Sequence, residues 1–381
     1  MVLKLKQDFT LEDNINMKRF IGIAVIILFL SFFLYMDIKK ETKMPEKELS
    51  KYYNILNEMT IAEKVGQMIL ARCPSENADQ DVKDYHLGGY LLFAKDFKNK
   101  SKNQVIDQIN SYQDNTHISL LIAVDEEGGT VNRVSKYKEL VQSPFKSPQD
   151  LFAEGGYEAI RKDTLKKANI LKELGINVNL APVSDVSTNE EDFIYKRSFG
   201  KDAIETAKYV EVVVKAMKEK KIGSALKHFP GYGNNIDTHE NIAIDERSFE
   251  SFKNNDFLPF ISGINEGANM VLVSHNIVNS MDSEKPASLS KKVHEILRNE
   301  LNFNGVIITD DLDMAAIKKS ITNESAVVEA IKAGNDLIIT SNYKEEIPMV
   351  LKAIEDKEIT EKQIDDSVIR ILKMKENIGL I

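Results

Sequence analysis

The chain has 381 residues, with 50 Lys and Arg against 59 Asp and Glu, and carries a net charge of −9 with no basic stripe in its body. That balance argues against a nucleic-acid partner held by charge, and a 43% hydrophobic content with only 9 prolines and 18 glycines argues against disorder. The single cysteine, Cys73, leaves no intrachain disulfide and reads as a buried, idle thiol.

In chain order, a short segment over 1–19 precedes an apolar run from Phe20 to Met36 that no charge interrupts. At the helical rise this run reaches roughly 25 Å, just short of a bilayer core. Lys18 and Arg19 precede it, Lys39 and Lys40 follow it, and no small-residue cleavage site comes after it. A transmembrane signal-anchor helix is therefore expected over 20–38, with secretion after signal cleavage as the alternative. Met17-Lys18-Arg19 itself reads like the start of such an anchor. A polar tether over 39–54 then leads to one domain over 55–381.

Within that domain, short apolar, β-branched runs alternate with amphipathic stretches. The runs are 65–72, 88–94, 120–129, 176–186, 222–231, 269–275, 305–314 and 335–340. Helical periodicity is clearest over 103–115, 157–175, 203–221, 290–302, 324–335 and 360–379, the last opening on a Thr-x-x-Gln capping-box pattern. Eight β-then-α units predict an α/β fold, a single (β/α)8 TIM-type barrel. The competing open sheet would normally carry a Gly-x-Gly-x-x-Gly fingerprint, which this sequence lacks.

Barrel chemistry gathers where strands end. The polar residues there are Asp125, Asp185, Lys227, His228, His275 and Asp310. Asp310 suits a nucleophile or a stabiliser of positive charge, or else a helix N-cap; Asp311 and Asp313 read more readily as caps. Asp237 and His239 stand two apart in "KHFPGYGNNIDTHE" (227–240). In an extended turn their side chains share one side, and the carboxylate would orient the ring and favour an imidazolium suited to general acid catalysis. A charged Lys227 at a strand end requires a partner or a ligand hydroxyl. Neither H-x-H nor H-E-x-x-H occurs, so no metal or other cofactor is expected.

Together these segments resemble glycoside hydrolase family 3 in its β-N-acetylglucosaminidase branch. The pattern K-H-F-P-G-x-G-x-x-x-x-D-[ST]-H is followed over 227–239 with one residue fewer between Gly233 and Asp237, and "VDEEGGTVNRV" (124–134), "NVNLAPVSDV" (177–186), "KRSFG" (196–200), "VSHN" (273–276) and "TDDLDM" (309–314) agree with the family as well. The resemblance implies that Asp310 is the nucleophile and that His239, paired with Asp237, is the acid/base. It also implies that Asp125, Arg133, Arg197, Lys227 and His228 hold the N-acetylglucosamine (GlcNAc) residue. Other branches take the acid/base from a glutamate on an extra domain; this sequence ends after its eighth unit, which leaves His239 to supply it. Tyr232 and Thr238 stand where the branch commonly has histidine and serine. The implied activity is a retaining exo-β-N-acetylglucosaminidase acting on peptidoglycan fragments outside the membrane. The alternatives are a phosphorylase on the same scaffold and a non-catalytic, membrane-tethered cell-wall binding protein.

Overall fold

A computed structural model describes residues 46–235, 243–315, 317 and 325–381. Among the described residues no helix is long and apolar enough to cross a membrane; the expected anchor over 20–38 lies outside them. The chain divides between Asn54 and Ile55, and the unit Ile55–Ile381 holds the barrel.

All eight predicted runs contain strands: β1 (Ile69–Arg72), β2 (Gly89–Leu92), β3 (Leu121–Val124), β4 (Val178–Asn179), β5 (Gly223–Phe229), β6 (Met270–Val273), β7 (Val306–Thr309) and β8 (Ile338–Thr340). Each pairs in parallel with its neighbours, in the order β8-β1-β2-β3-β4-β5-β6-β7. A parallel bridge between Ile308 and Leu337 then brings β7 back to the start of β8, so the sheet curls into a nearly closed barrel. The strands read as continuous apolar runs because helices cover the outside and side chains fill the inside.

β4 has only two residues, and side chains extend its pairing with β3. Ile122 N donates to Asn177 Oδ1 (2.9 Å) while Asn177 Nδ2 donates to Leu120 O (3.0 Å). Asn179 repeats this with Glu126, accepting from its N (2.9 Å) and donating to its O (3.0 Å). An amide side chain presents the same donor and acceptor as a peptide group.

The helices follow the sequence with local exceptions. The helix Pro148–Glu173 begins well before the predicted 157 and breaks at Gly155–Gly156, where Gly156 adopts φ 62°. The stretch 290–302 is one short α-helical turn, Lys291–Glu295, followed by a π-helix, Ile296–Glu300. At the last helix, Glu361–Asn377, the Thr360 side chain accepts from Gln363 N as expected. Gln363 Nε2 instead donates to Ile331 O (2.6 Å), so the expected capping box is only half made. Cys73 is buried, and burial pushes its thiol up to about 12.

Candidate active site

At the carboxyl ends of the strands lies a cavity of about 740 Å³. Asp125, Arg133, Arg197, Lys227, His228 and Asp310 all line it. Asp125 follows β3, Asp310 follows β7, and Lys227 and His228 lie within β5. Neighbouring residues of a regular strand point to opposite faces. Against β6, however, Leu226 pairs with Val271 and Phe229 with Val273, so β5 carries one extra residue there. This bulge re-aims the chain and lets both Lys227 and His228 face the cavity.

Lys227 is 2% exposed, and its Nζ lies 2.7 Å from Asp125 Oδ1 and 2.6 Å from Glu127 Oε1. Arg197 meets Glu127 with two hydrogen bonds, Nε to Oε2 (3.0 Å) and a terminal nitrogen to Oε1 (2.8 Å). Two cations and two carboxylates thus balance within one buried cluster, which is the condition under which buried charge is tolerated. Burial alone would raise the Glu127 carboxyl, but the Arg197 and Lys227 charges and their hydrogen bonds outweigh it and hold the group far below the usual carboxylate range. Lys227 shifts the opposite way: burial would lower it, yet Asp125 and Glu127 raise it, so its ammonium is locked on.

His228 continues the network. Its Nδ1 lies 2.7 Å from Asp185 Oδ2 and its Nε2 lies 3.2 Å from an Arg197 terminal nitrogen. A guanidinium can only donate, so Nε2 accepts and Nδ1–H donates to Asp185. Asp185 also accepts from the backbone N–H of His228 (3.1 Å) and Tyr232 (2.7 Å). Arg133 is aimed through its backbone: buried Glu126 accepts from the N–H groups of Arg133 (2.8 Å), Val134 (2.7 Å) and Ser135 (3.2 Å).

Across the cavity, Asp310 N donates to Val273 O (3.0 Å), and Asp310 Oδ1 accepts from Asp311 N (2.8 Å). Asp311 accepts from Asp313 N (3.0 Å), and Asp313 receives Ser341 N (2.9 Å) and Asn342 Nδ2 (2.7 Å). Asp313 thus fastens the loop after β7 to the end of β8, and Asp311 braces that loop from within. His275 assists from beneath: its Nε2 lies 2.9 Å from Asp311 O and its Nδ1 lies 2.7 Å from Ser288 Oγ. Burial pushes Asp311 up to about 6 despite Arg72, whose Nε is 3.2 Å away, with Asp310 and Asp313 adding to the rise.

Six of the eight residues singled out in the sequence therefore meet at one cavity, while Asp237 and His239 lie outside the described residues. Glu127, the centre of the cation network, and Arg72, which lies 4.4 Å over the Phe93 ring, are not among the residues that the sequence singles out. A signal for Glu127 was present: a strand end reading Asp-Glu-Glu-Gly-Gly offers more acids than caps require. Among the described residues no group of three or more His, Cys, Asp or Glu is arranged to hold a metal ion.

The chain is 28% identical to Beta-hexosaminidase A of Pseudoalteromonas piscicida over 78% of this chain and 54% of that protein. It is 27% identical to Beta-hexosaminidase LpqI of Mycobacterium tuberculosis, covering 82% of each. Among solved structures, a glycoside hydrolase family 3 β-N-acetylglucosaminidase from Paenibacillus sp. str. FPU-7 superposes with a TM-score of 0.78 at 29% identity, over 84% of this chain and 63% of that one. The chain thus spans between half and two thirds of the first and third of these relatives. The model of the glycosyl hydrolase family 3 N-terminal domain matches residues 60–374, nearly the whole barrel unit, and the chain belongs to that family.

Proposed function

We propose that the protein is a retaining exo-β-N-acetylglucosaminidase that removes terminal, non-reducing GlcNAc from peptidoglycan fragments. The observation that carries this reading is the convergence of Asp125, Arg133, Arg197, Lys227, His228 and Asp310 on one cavity in a family 3 barrel. The relatives named as hexosaminidases support the choice of sugar.

In this reading Asp310 attacks the anomeric carbon and forms a glycosyl-aspartate. The bond to the leaving oxygen breaks as the His239 imidazolium gives that oxygen its proton. Neutral His239 then takes a proton from water, whose oxygen displaces Asp310 with net retention. Asp237 orients the ring and stabilises its charged form. Lys227 and Arg197, held by Glu127, offer donors to sugar hydroxyls, and Asp125 accepts from one. The anchor helix expected over 20–38 tethers the barrel, over 55–381, on the outer side of the membrane, where cell-wall fragments occur.

Replacing the nucleophile is the direct test. Asp310→Asn should cut release of p-nitrophenol from its β-GlcNAc glycoside by roughly 10⁴-fold or more; unchanged turnover would refute the assignment. Digesting GlcNAc-MurNAc disaccharides in phosphate and in phosphate-free buffer, with products identified by mass, tests both acceptor and substrate. Free GlcNAc in both buffers is expected, and a sugar 1-phosphate would mean phosphorolysis instead.

A further inference from the structure

The guanidinium of Arg247 sits at the stem of the loop that leaves β5. Its Nε lies 3.0 Å from both carboxylate oxygens of Asp245, and one terminal nitrogen lies 3.0 Å from both oxygens of Asp256. The other terminal nitrogen donates to Asp245 Oδ2 (2.7 Å) and to the Gly231 carbonyl (3.0 Å). The guanidinium also lies 4.2 Å over the Phe252 ring. One planar fork therefore joins the limb leaving β5, at Gly231, to the returning limb, at Asp245.

The surrounding residues are shaped to this fork. A Cβ on Gly233, where φ is +55°, would stand 2.5 Å from the Arg247 Cζ; one on Gly231, where φ is +126°, would stand 2.4 Å from Asp256 Oδ1. Asn235 closes the stem a second time, its Nδ2 donating to Asp245 Oδ2 (2.7 Å) and to Tyr232 O (2.8 Å). The returning limb is pinned to the barrel by parallel pairing of Ile244 with Ile277 and Asp245 with Val278. The leaving limb is pinned through Tyr232 N on Asp185, the carboxylate that also holds His228.

We propose that Arg247 is a positioning residue for proton transfer, fixing where the segment 236–242 leaves and rejoins the barrel relative to the sugar-binding residues. The proposal rests on the reading of His239, within that segment, as the acid/base. Anchoring both ends of a short segment removes most of the positions it could otherwise reach, and an error near 1 Å in a proton donor costs about 10²-fold in rate. Lysine keeps the charge of arginine but lacks the fork that spans three acceptors.

Arg247→Lys and Asn235→Ala, each alone and each combined with His239→Ala, test this in the full chain. Two β-GlcNAc glycosides serve as substrates: a dinitrophenyl one, whose leaving group needs no proton, and an alkyl one, whose leaving group does. For Arg247→Lys, kcat/KM on the alkyl glycoside should fall on the order of 10²-fold, with the dinitrophenyl glycoside within about threefold of the parent. Asn235→Ala should show the same selectivity more weakly, and it keeps the Arg247 ion pairs if Arg247→Lys fails to fold. On a His239→Ala background either change should cost less than about threefold more, since a positioning residue acts through the group it positions. Equal losses on both substrates, or an undiminished loss without His239, overturn the proposal while leaving the reading of His239 intact. A His239→Ala protein with no leaving-group selectivity overturns both.

Discussion

The two sides of the cavity use the same residue types in opposite ways. On the β3–β5 side each carboxylate faces a cation or an imidazole: Asp125 and Glu127 meet Lys227, Glu127 also meets Arg197, and Asp185 meets His228. On the β7–β8 side Asp310, Asp311, Asp313 and Glu346 crowd together, and Arg72 is paired with one of them. Glu127 is held far below its ordinary value, whereas Asp311 is pushed up to about 6 and Glu346 up to about 7, in both cases chiefly by burial. Burial acts on all three carboxyls, so the neighbouring charges decide the outcome. The β3–β5 side is preset: its polar groups already point at one another, and on the proposed function they need only share a bond with a neutral sugar. On the function proposed above, the β7–β8 side sets its carboxyls on the side of the carbon where positive charge develops in an oxocarbenium-like transition state.

Breaking the balanced side should have the largest effect. Lys227→Met strands Asp125 without its cation and leaves Glu127 to Arg197 alone. A drop in unfolding free energy of roughly 3 kcal/mol is expected in urea titrations. The kcat/KM for p-nitrophenyl β-GlcNAc should fall by about 10²-fold through loss of a charged donor to a sugar hydroxyl. A variant as stable as the parent would mean that the cluster is not the balanced unit described above.

The acidic side should respond to pH. Glu346 keeps its proton in the folded chain up to about 7, while in the unfolded chain it ionises near the ordinary glutamate value of 4.5. Between those values the folded state binds more protons, so stability falls as pH rises from about 4.5 to about 7 and changes no further from this group above that. Glu346→Gln removes the titration. Thermal melts of the two proteins should therefore diverge as pH rises, the variant gaining about 1–2 kcal/mol relative to the parent by pH 8. Parallel curves would show that Glu346 is not a buried acid.

The smallest change expected is from Arg72→Gln. The Arg72 side chain is 38% exposed, so its loss should alter kcat/KM by less than about fivefold. Asp311 should nonetheless titrate above about 6, because Arg72 is the cation that lowers it. Carboxyl carbon shifts followed by NMR would reveal this, and an unmoved Asp311 would remove Arg72 from the comparison.

Much of this arrangement was legible in the sequence, for reasons that differ by element. The strands announced themselves because barrel strands are apolar on both faces, so 120–124 or 305–309 needs no periodicity to be found. Asp310 and Lys227 stood out because charge at the end of such a run requires a reason. The helix Tyr343–Glu355 was not anticipated, since Pro348 inside it reads as a breaker. Nor was Phe249–Ser251, which passes through a π-helical turn into Phe257–Glu266 and so spoils a 3.6-residue pattern. The acid run hinted at Glu127 but not at its pairing, because its partners, Arg197 and Lys227, lie 70 and about 100 positions away and only barrel closure brings them together. The β5 bulge has no local signature: the resemblance puts Lys227 and His228 on one sugar, but strand alternation along "LKHF" would send them to opposite faces.

The asparagine stitches between β3 and β4 have a consequence for how the wall ages. Each amide does the work of a missing peptide group, and at Asn179 the backbone it pairs with belongs to Glu126, between Asp125 and Glu127. Hydrolysis of that one amide to a carboxylate would turn its donor into a second acceptor facing the Glu126 carbonyl, a contact that repels where it formerly bound. The seam would open at the stretch that carries Asp125 and Glu127 to the cavity. One spontaneous chemical event, in a side chain that need not touch the sugar, would thereby shift the carboxylates on which the cations depend.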